Sequence, residues 1–469
     1  MNKSLTRAVA VGAVCAAALA GSLTTGSTAV ADGGSAKKGL TKFGYKANVF
    51  GTKLVANGID VKSVKDALAQ QKCTRELRRE IVKASPGISN IIPADLPGDA
   101  PASDLIHVSP SASRTKTYRT GKSEYGVLGT NIIADITVGG LLDGVQTPVL
   151  KIEGLKSVAD SWNDTRANKG HGKFHAAAEF GFGGIDLELN GVDPTGELDD
   201  LLDIIESNLP IETVVQQIIE LLETVGVIEI PGLGSIALGH SVARAGAHSA
   251  EANVYALKIT VQPDGAGKTV LQLGRAYSRV TDGVKSGVFR SQMSALDANV
   301  GGLVTLGGVS TQTIPCEGTR GAVKTKRVAL AAIPGVIELS GIKYSWMGKQ
   351  LAKGKSTSFM KTDIARVEIP VGDVVVTGLT SRLDLRSPGK NQLVKRDAKV
   401  TAAKIVIGGK TIPTPKPGQE VGFDGGSLVL RKLQHSNFNG TDLYGLVITL
   451  FEENLVVSLG EASGRIWYR

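Results

Sequence analysis

Asp373–Leu385 reads DVVVTGLTSRLDL. Apolar residues alternate as far as Thr377, Gly378 interrupts, and the alternation then resumes through Leu379, Leu383 and Leu385. Period-two alternation gives a sheet one dry and one wet face, and glycine inside such a run marks a bulge or sharp bend. The unit therefore reads as strand, bend, strand. It recurs as KLVANGIDVKS from residue 53, VLKIEGLKSVA from 149, IDLELNGVDPT from 185, LVTLGGVSTQT from 303, VIELSGIKYSW from 336 and KIVIGGKTIPT from 405. A mainly β chain of antiparallel, sandwich-like or bent sheets is expected.

The composition agrees. The chain has 469 residues, enough for two or three domains, with 58 glycines and only 4 % aromatics. That profile suits many short strands with glycine turns better than a helical enzyme. The N-terminus has the layout of a secretory signal, expected over residues 1–31: Lys3 and Arg7, a small and apolar stretch Ala8–Leu23, and Ala29-Val30-Ala31 before Asp32. Cys15 follows Val14, not the small residue of a lipidation site. Leu96-Pro97-Gly98-Asp99-Ala100 resembles a wall-sorting tag but has no apolar tail behind it. No later run reaches the ~20 apolar residues that span a bilayer. The expected product is secreted, extracellular and not transmembrane, with residues 32–42 a flexible linker. Cys73 and Cys316 then remain, and in an oxidising compartment two cysteines are expected to pair.

The second half of the chain overlays the first. TNIIADITV from 130 faces TDIARVEIPV from 362, and LIHVSPSASRT from 105 faces VIELSGIKYSW from 336. GSIALGHSVARAGAHS from 234 faces GSLVLRKLQHSNFNG from 426, and YALKITVQPDGAGKTVLQLGRAYSRV from 255 faces YGLVITLFEENLVVSLGEASGRI from 444. Cys73 faces Cys316. An internal duplication is expected, residues 43–281 and 286–469, with the disulfide joining equivalent points. The first half adds an insert, residues 194–226, with apolar residues at helical spacing split by Pro210; it reads as an αα-hairpin. It holds acidic residues and no basic one, so it is expected to be a lid with a solvated face or a contact for a second copy. Thr74–Lys83 reads as a short basic patch of helical character.

Catalytic strings fare poorly. Gly239-His240-Ser241-Val242-Ala243 approaches the nucleophile elbow, but no helix or βαβ unit surrounds it, and Arg431, Lys432 and Leu433 take the corresponding places in the other half. His171 and His175 with Glu179 have the spacing of a zinc site on a helix, yet their context reads as a strand, where residues four apart lie ~13 Å apart. His248-Ser249 and His435-Ser436 recur in both halves, which suits structural hydrogen bonds. Asp199, Asp203 and Glu206 lack the loop of a calcium site. No catalytic residue, cofactor or metal ligand is assigned.

Basic residues cluster at Arg75–Lys83, Lys324–Arg327, Lys343–Lys361 and Arg382–Lys404. With a net charge of +9, reduced by two on loss of the signal, an exported chain of this kind is drawn to anionic polymers. Sparse aromatics argue against nucleic acid. Trp162, Trp346 and Trp467 hold no matching positions in the two halves. The signal, the glycine-interrupted strands and tyrosine-led strands such as Tyr255-Ala256-Leu257 and Tyr444-Gly445-Leu446 resemble the choice-of-anchor P family of exported actinobacterial proteins. That resemblance implies an envelope setting and no catalytic residues; the chain's end at Gly464–Arg469 departs from the family's anchors. The expected function is a non-enzymatic binding or structural role at the cell envelope or matrix, towards anionic wall polymers or glycans. The alternative is a carbohydrate-active protein, lectin or glycoside hydrolase, using a carboxylate or Trp346.

Overall fold

The strand Val374–Ser387 does not stop at its glycine. In the computed structural model, the described residues are 39–468 apart from 57–58, 62–66, 90–105, 140, 143–144, 147–148, 168–171, 189–199, most of 201–224, 231–233, 262–268, 301–303, 307–310, 334, 390–391 and 453–454. Val374 and Val376 are buried before Gly378, and Leu379, Ser381, Leu383 and Leu385 after it. The buried positions thus pass from even to odd numbers. A shift of one residue would turn every apolar side chain outward, and one extra residue restores the phase. Gly378 is that residue, at φ +62°, where a side chain would also press on Ala403. Its neighbours step together: pairing passes from Ile364↔Leu379 to Arg366↔Thr377, and from Ile342↔Ile364 to Ser340↔Arg366. A row of small residues, Ala329, Gly341, Ala365 and Gly378, therefore creases the whole sheet.

The main strands of the first half, in chain order, are β1 (Leu40–Ala56), β2 (Ile59–Val61), β3 (Ala69–Glu76), β4 (Glu80–Ser85), β5 (Ser111–Thr120) and β6 (Glu124–Val138). They continue with β7 (Val149–Asp164), β8 (Lys173–Gly181), β9 (Gly184–Glu188), β10 (Gly234–Ala245), β11 (Ser249–Val261) and β12 (Thr269–Thr281). The second half begins with β13 (Ser291–Val300), β14 (Val304–Leu306), β15 (Gln312–Ile314), β16 (Lys324–Ile333), β17 (Ile337–Gln350) and β18 (Ser356–Ile369). It ends with β19 (Val374–Ser387), β20 (Lys395–Thr401), β21 (Lys404–Ile407), β22 (Gly426–Asn437), β23 (Gly440–Leu450) and β24 (Leu455–Trp467).

The two sets pair alike. β1 pairs with β2, β3 and β12, as β13 pairs with β14, β15 and β24. β4, β5, β6 and β7 pair in series with both β8 and β9 on β7; β16, β17, β18 and β19 do the same with β20 and β21 on β19. β10, β11 and β12 form a meander, and so do β22, β23 and β24. Every one of these pairings is antiparallel. β2 meets its counterpart β14 at Val61↔Leu306, which runs the two outer meanders into one 15-stranded sheet. Cys73 in β3 and Cys316 just past β15 form a disulfide, S–S 2.02 Å and Cα–Cα 5.4 Å, across 243 residues of chain. Like strand beside like strand and like cysteine on like cysteine is the pattern of a two-fold arrangement.

Residues 36–469 make one compact unit. β7 lies on β11 and β12, and β19 on β23 and β24, so each half stacks its middle sheet on the long one. Small residues (Ala47, Val49, Ala159, Ala252, Ala276) and the Ser161–Ser278 hydroxyl pair at 2.8 Å line one part of the first interface, and Leu155, Leu257, Leu271 and Leu273 fill another. The second is filled by Leu339, Tyr344, Met360, Leu383 and Leu459, among others.

Three expectations need correcting. The αα-hairpin over 194–226 falls mainly outside the described residues; single described positions such as Asp200 and Glu220 have helical backbone, but no continuous helix is described and the hairpin is not supported. Thr74–Lys83 is not helical: it is the end of β3, a bend with Arg78 at φ 57°, and the start of β4, because its backbone groups pair across to the β5 side, Arg78 N–H donating to Thr117 O. In KIVIGGKTIPT the glycines form a two-residue turn instead of a crease, Gly408 and Gly409 both at positive φ between Ile407 and Lys410. Among the described residues no helix is long and apolar enough to cross a membrane, which leaves strand-borne crossing unaddressed.

Candidate functional site

The residues singled out as catalytic or metal-binding do not come together. Ser241 lies mid-strand in β10 opposite Val254, and beside it His240 leans on Tyr255. His175 and Glu179 share the outer face of β8, but His175 is stacked on Trp162, and His171 lies outside the described residues. No group of three metal-binding side chains exists among the described residues. His248 meets Asp282 at 3.1 Å on the surface, and Ser436 shares a hydrogen bond with Thr441. Asp199 and Glu206 lie outside the described residues.

Part of the basic cluster around Arg75 is spent internally, with Arg79 paired to Glu76 at 3.3 Å. Arg75 donates to the carbonyls of Thr41 and Ser286, tying β3 to the start of the second half. Arg290 donates to Cys73 O at 2.6 Å and lies over the Trp467 ring at 4.4 Å. Burial, with Arg79 nearby, pulls its guanidinium down to about 10. Arg279 reaches across to Glu317, next to Cys316, at 3.0 Å. These contacts brace the disulfide junction, while Arg78 and Lys83 remain exposed.

The other three basic clusters converge. β16 to β20 form one sheet, and alternation places Lys349, Lys361, Arg382, Arg386, Lys395, Lys399, Arg327 and Lys343 on its solvent side in register, whereas Lys326 and Arg396 stand opposite the buried Tyr344 and Leu385 on the other parity. One row runs Lys349–Thr357–Arg386–Lys395; a second runs Thr325–Ser345–Lys361–Arg382–Lys399; a third runs Arg327–Lys343–Asp363–Thr380–Thr401. Four cations pair with acids two residues away: Lys361–Asp363 at 2.8 Å, Arg382–Asp384 through two bonds, Lys399–Asp397 at 3.3 Å, and Arg366–Glu368. The Asp384 hydrogen bonds raise the Arg382 pKa, and its guanidinium lies over Phe359 at 4.6 Å. Arg327, Lys343, Lys349, Arg386, Lys395 and Lys404 have no ion pair among the described residues. Along the third row the crease forms a furrow of about 730 Å³, floored by Ala329, Gly341, Ala365 and Gly378 and banked by Arg327, Lys343, Asp363 and Thr380. Across four or five strands it is roughly 15–20 Å long. An extended chain fits such a furrow better than a compact molecule, and the surplus positive charge selects anions.

The counterpart sheet of the first half differs. Where β17, β18, β19 and β20 carry Lys349, Thr357, Arg386 and Lys395, strands β5 to β8 carry Tyr118, Gly126, Trp162 and His175 in register. Trp162 and His175 are parallel, centroids 5.2 Å apart at 11°. The Tyr118 ring crosses above Gly126, where any Cβ would sit 2.3 Å from it, and its hydroxyl donates to Asp160 at 2.8 Å. Burial first, then Glu124 and Glu179, push the Asp160 carboxyl up to about 6 against the lowering effect of Tyr118 and Ser161. Sequence reasoning missed this cluster. The signal available was the parity of Asp160, Trp162 and Asp164, which puts all three on the wet side of one strand.

No family model, no curated protein and no solved structure matches this chain.

Proposed function

We propose that this is an exported, non-enzymatic protein, built from a copied β unit, that holds anionic polymers of the cell envelope on the outer face of β16 to β20. The observation that carries the reading is the convergence of residues from three sequence-separated basic clusters on one face, with Arg327, Lys343, Lys349, Arg386 and Lys395 in no ion pair among the described residues. The furrow runs beside Arg327 and Lys343, with Lys349, Arg386 and Lys395 further along the same face, and the double-layered sheet holds their spacing without a cost in ordering.

The test is retention of the signal-free chain on purified wall teichoic polymer. Retention falls as salt rises, because exposed charges are screened. It is lost in the triple variant Lys349→Glu, Arg386→Glu, Lys395→Glu. Retention that ignores both salt and the triple variant ends this reading.

A further inference from the structure

The aromatic row of the first half faces solvent, is built from four strands in strict register, and plays no part in the core beneath it. Its parts are specific. Tyr118 forms a floor across Gly126, a position where no side chain but hydrogen fits under the ring. Trp162 stands as a wall, backed by His175. Asp160 is held at the corner by the Tyr118 hydroxyl on Oδ1. Glu124, beside Tyr125 at the start of β6, and Glu179, on β8, both lie near enough to act on the Asp160 carboxyl.

We infer that Tyr118, Trp162 and Asp160 form a subsite for a saccharide ring, the ring's C–H face lying against the aromatic side chains and its hydroxyls donating to Asp160. A pyranose has one apolar face and a rim of hydroxyl donors, which is what a stacking surface bordered by carboxylate acceptors accommodates. The Tyr118 hydroxyl and the Ser161 backbone N–H each occupy a lone-pair direction of Asp160, and the remaining directions are left for sugar hydroxyls. A quaternary ammonium ion is the competing occupant, since acids and aromatic rings also attract cations. A cage for such an ion needs several ring faces turned to one point. Here one Trp162 face is already covered by His175, so the sugar is favoured.

This site is separate from the cationic face and takes a different ligand, so its test can fail without touching that proposal. The signal-free chain is titrated calorimetrically with cellotetraose, chitotetraose and laminaritetraose, and with choline, at neutral pH. At least one tetrasaccharide is expected to bind, and Trp162→Ala and Asp160→Asn are each expected to weaken it by about tenfold or more. Trp162→Phe, which keeps a ring and the packing on His175, is expected to retain most of the binding, and Arg386→Ala, at the corresponding place in the other half, to leave it unchanged. Loss of binding in Arg386→Ala, unchanged binding in both Trp162→Ala and Asp160→Asn, binding of choline alone, or no tetrasaccharide binding up to about 10 mM overturns the inference.

Discussion

Row Tyr118–Gly126–Trp162–His175 and row Lys349–Thr357–Arg386–Lys395 stand on counterpart strands, at counterpart registers, on counterpart faces. Beneath them the two halves agree: each has a creased middle sheet stacked on the long sheet, and each crease is set by glycine in the left-handed region, Gly154 at φ 63° and Gly378 at φ 62°. Above, one half offers rings and a raised carboxyl, the other unpaired cations. A sheet's dry face is constrained by the layer it packs on, whereas its wet face is free to change. On the proposed reading, recognition belongs to the wet faces and the shared interior is scaffolding.

The comparison can be broken at its joint. Reducing Cys73–Cys316, or replacing both by serine, is expected to cost about 2–5 kcal/mol by freeing a very long loop, read as a lower denaturant midpoint. An unchanged midpoint would mean that the noncovalent links between the halves, the Arg75, Arg290 and Arg279 contacts and the β2–β14 pairing among them, suffice without the disulfide.

Charge reversal sharpens the contrast between the faces. Lys349→Glu with Arg386→Glu should weaken polyanion binding by between about tenfold and a thousandfold at low salt, with the effect shrinking at high salt. Lys156→Glu, on the outer face of the first half's middle sheet, should change it by much less; equal losses from both would dissolve the distinction.

A pH series separates the halves again. The Asp160 carboxyl is raised to about 6 in the folded chain, above its ordinary value of 3.8. Ionisation is therefore disfavoured by folding, so stability is fullest below about 4 and falls as pH rises through about 6. Two units correspond to about 3 kcal/mol, which partial exposure reduces to about 1–2 kcal/mol. Asp160→Asn should abolish that fall, whereas Asp384→Asn, at the counterpart position, should leave it in place. Chemical denaturation between pH 4 and 7 decides it.

The smallest effect is at Tyr118. Tyr118→Phe removes the hydroxyl that favours the ionised carboxylate, and should cost about 1 kcal/mol while moving the Asp160 titration further upward, followed by carboxyl NMR. A downward movement would show that the hydroxyl acts otherwise.

Much of the architecture could be read along the chain. Alternation on both sides of Gly378 foretold two apolar runs and a bend between them, where the fold has one strand that changes phase, and the aligned blocks fall on strands with the same pairing partners. The helical insert did not follow, since its spacing alone gives no continuous element among the described residues. Thr74–Lys83 was mistaken for a helical patch because its charges look alike in either periodicity, and only its cross-strand hydrogen bonds separate the two. The basic clusters were visible one by one. What was hidden was that Arg75 and Arg290 are consumed at the disulfide while the others share a face. Trp162 was set aside for lacking a partner tryptophan at the matching place, but its partners are Gly126 and His175 on neighbouring strands.

Local order in this protein was written by its residues: alternation chooses the dry side of each strand, and glycine, able to take positive φ, chooses where that side changes parity. Which residues become neighbours was decided by strand register, because side chains tens of residues apart in sequence meet only where hydrogen-bonded ladders set them about 5 Å apart. The cationic furrow and the aromatic row are both products of register, and no single stretch of the chain contains either.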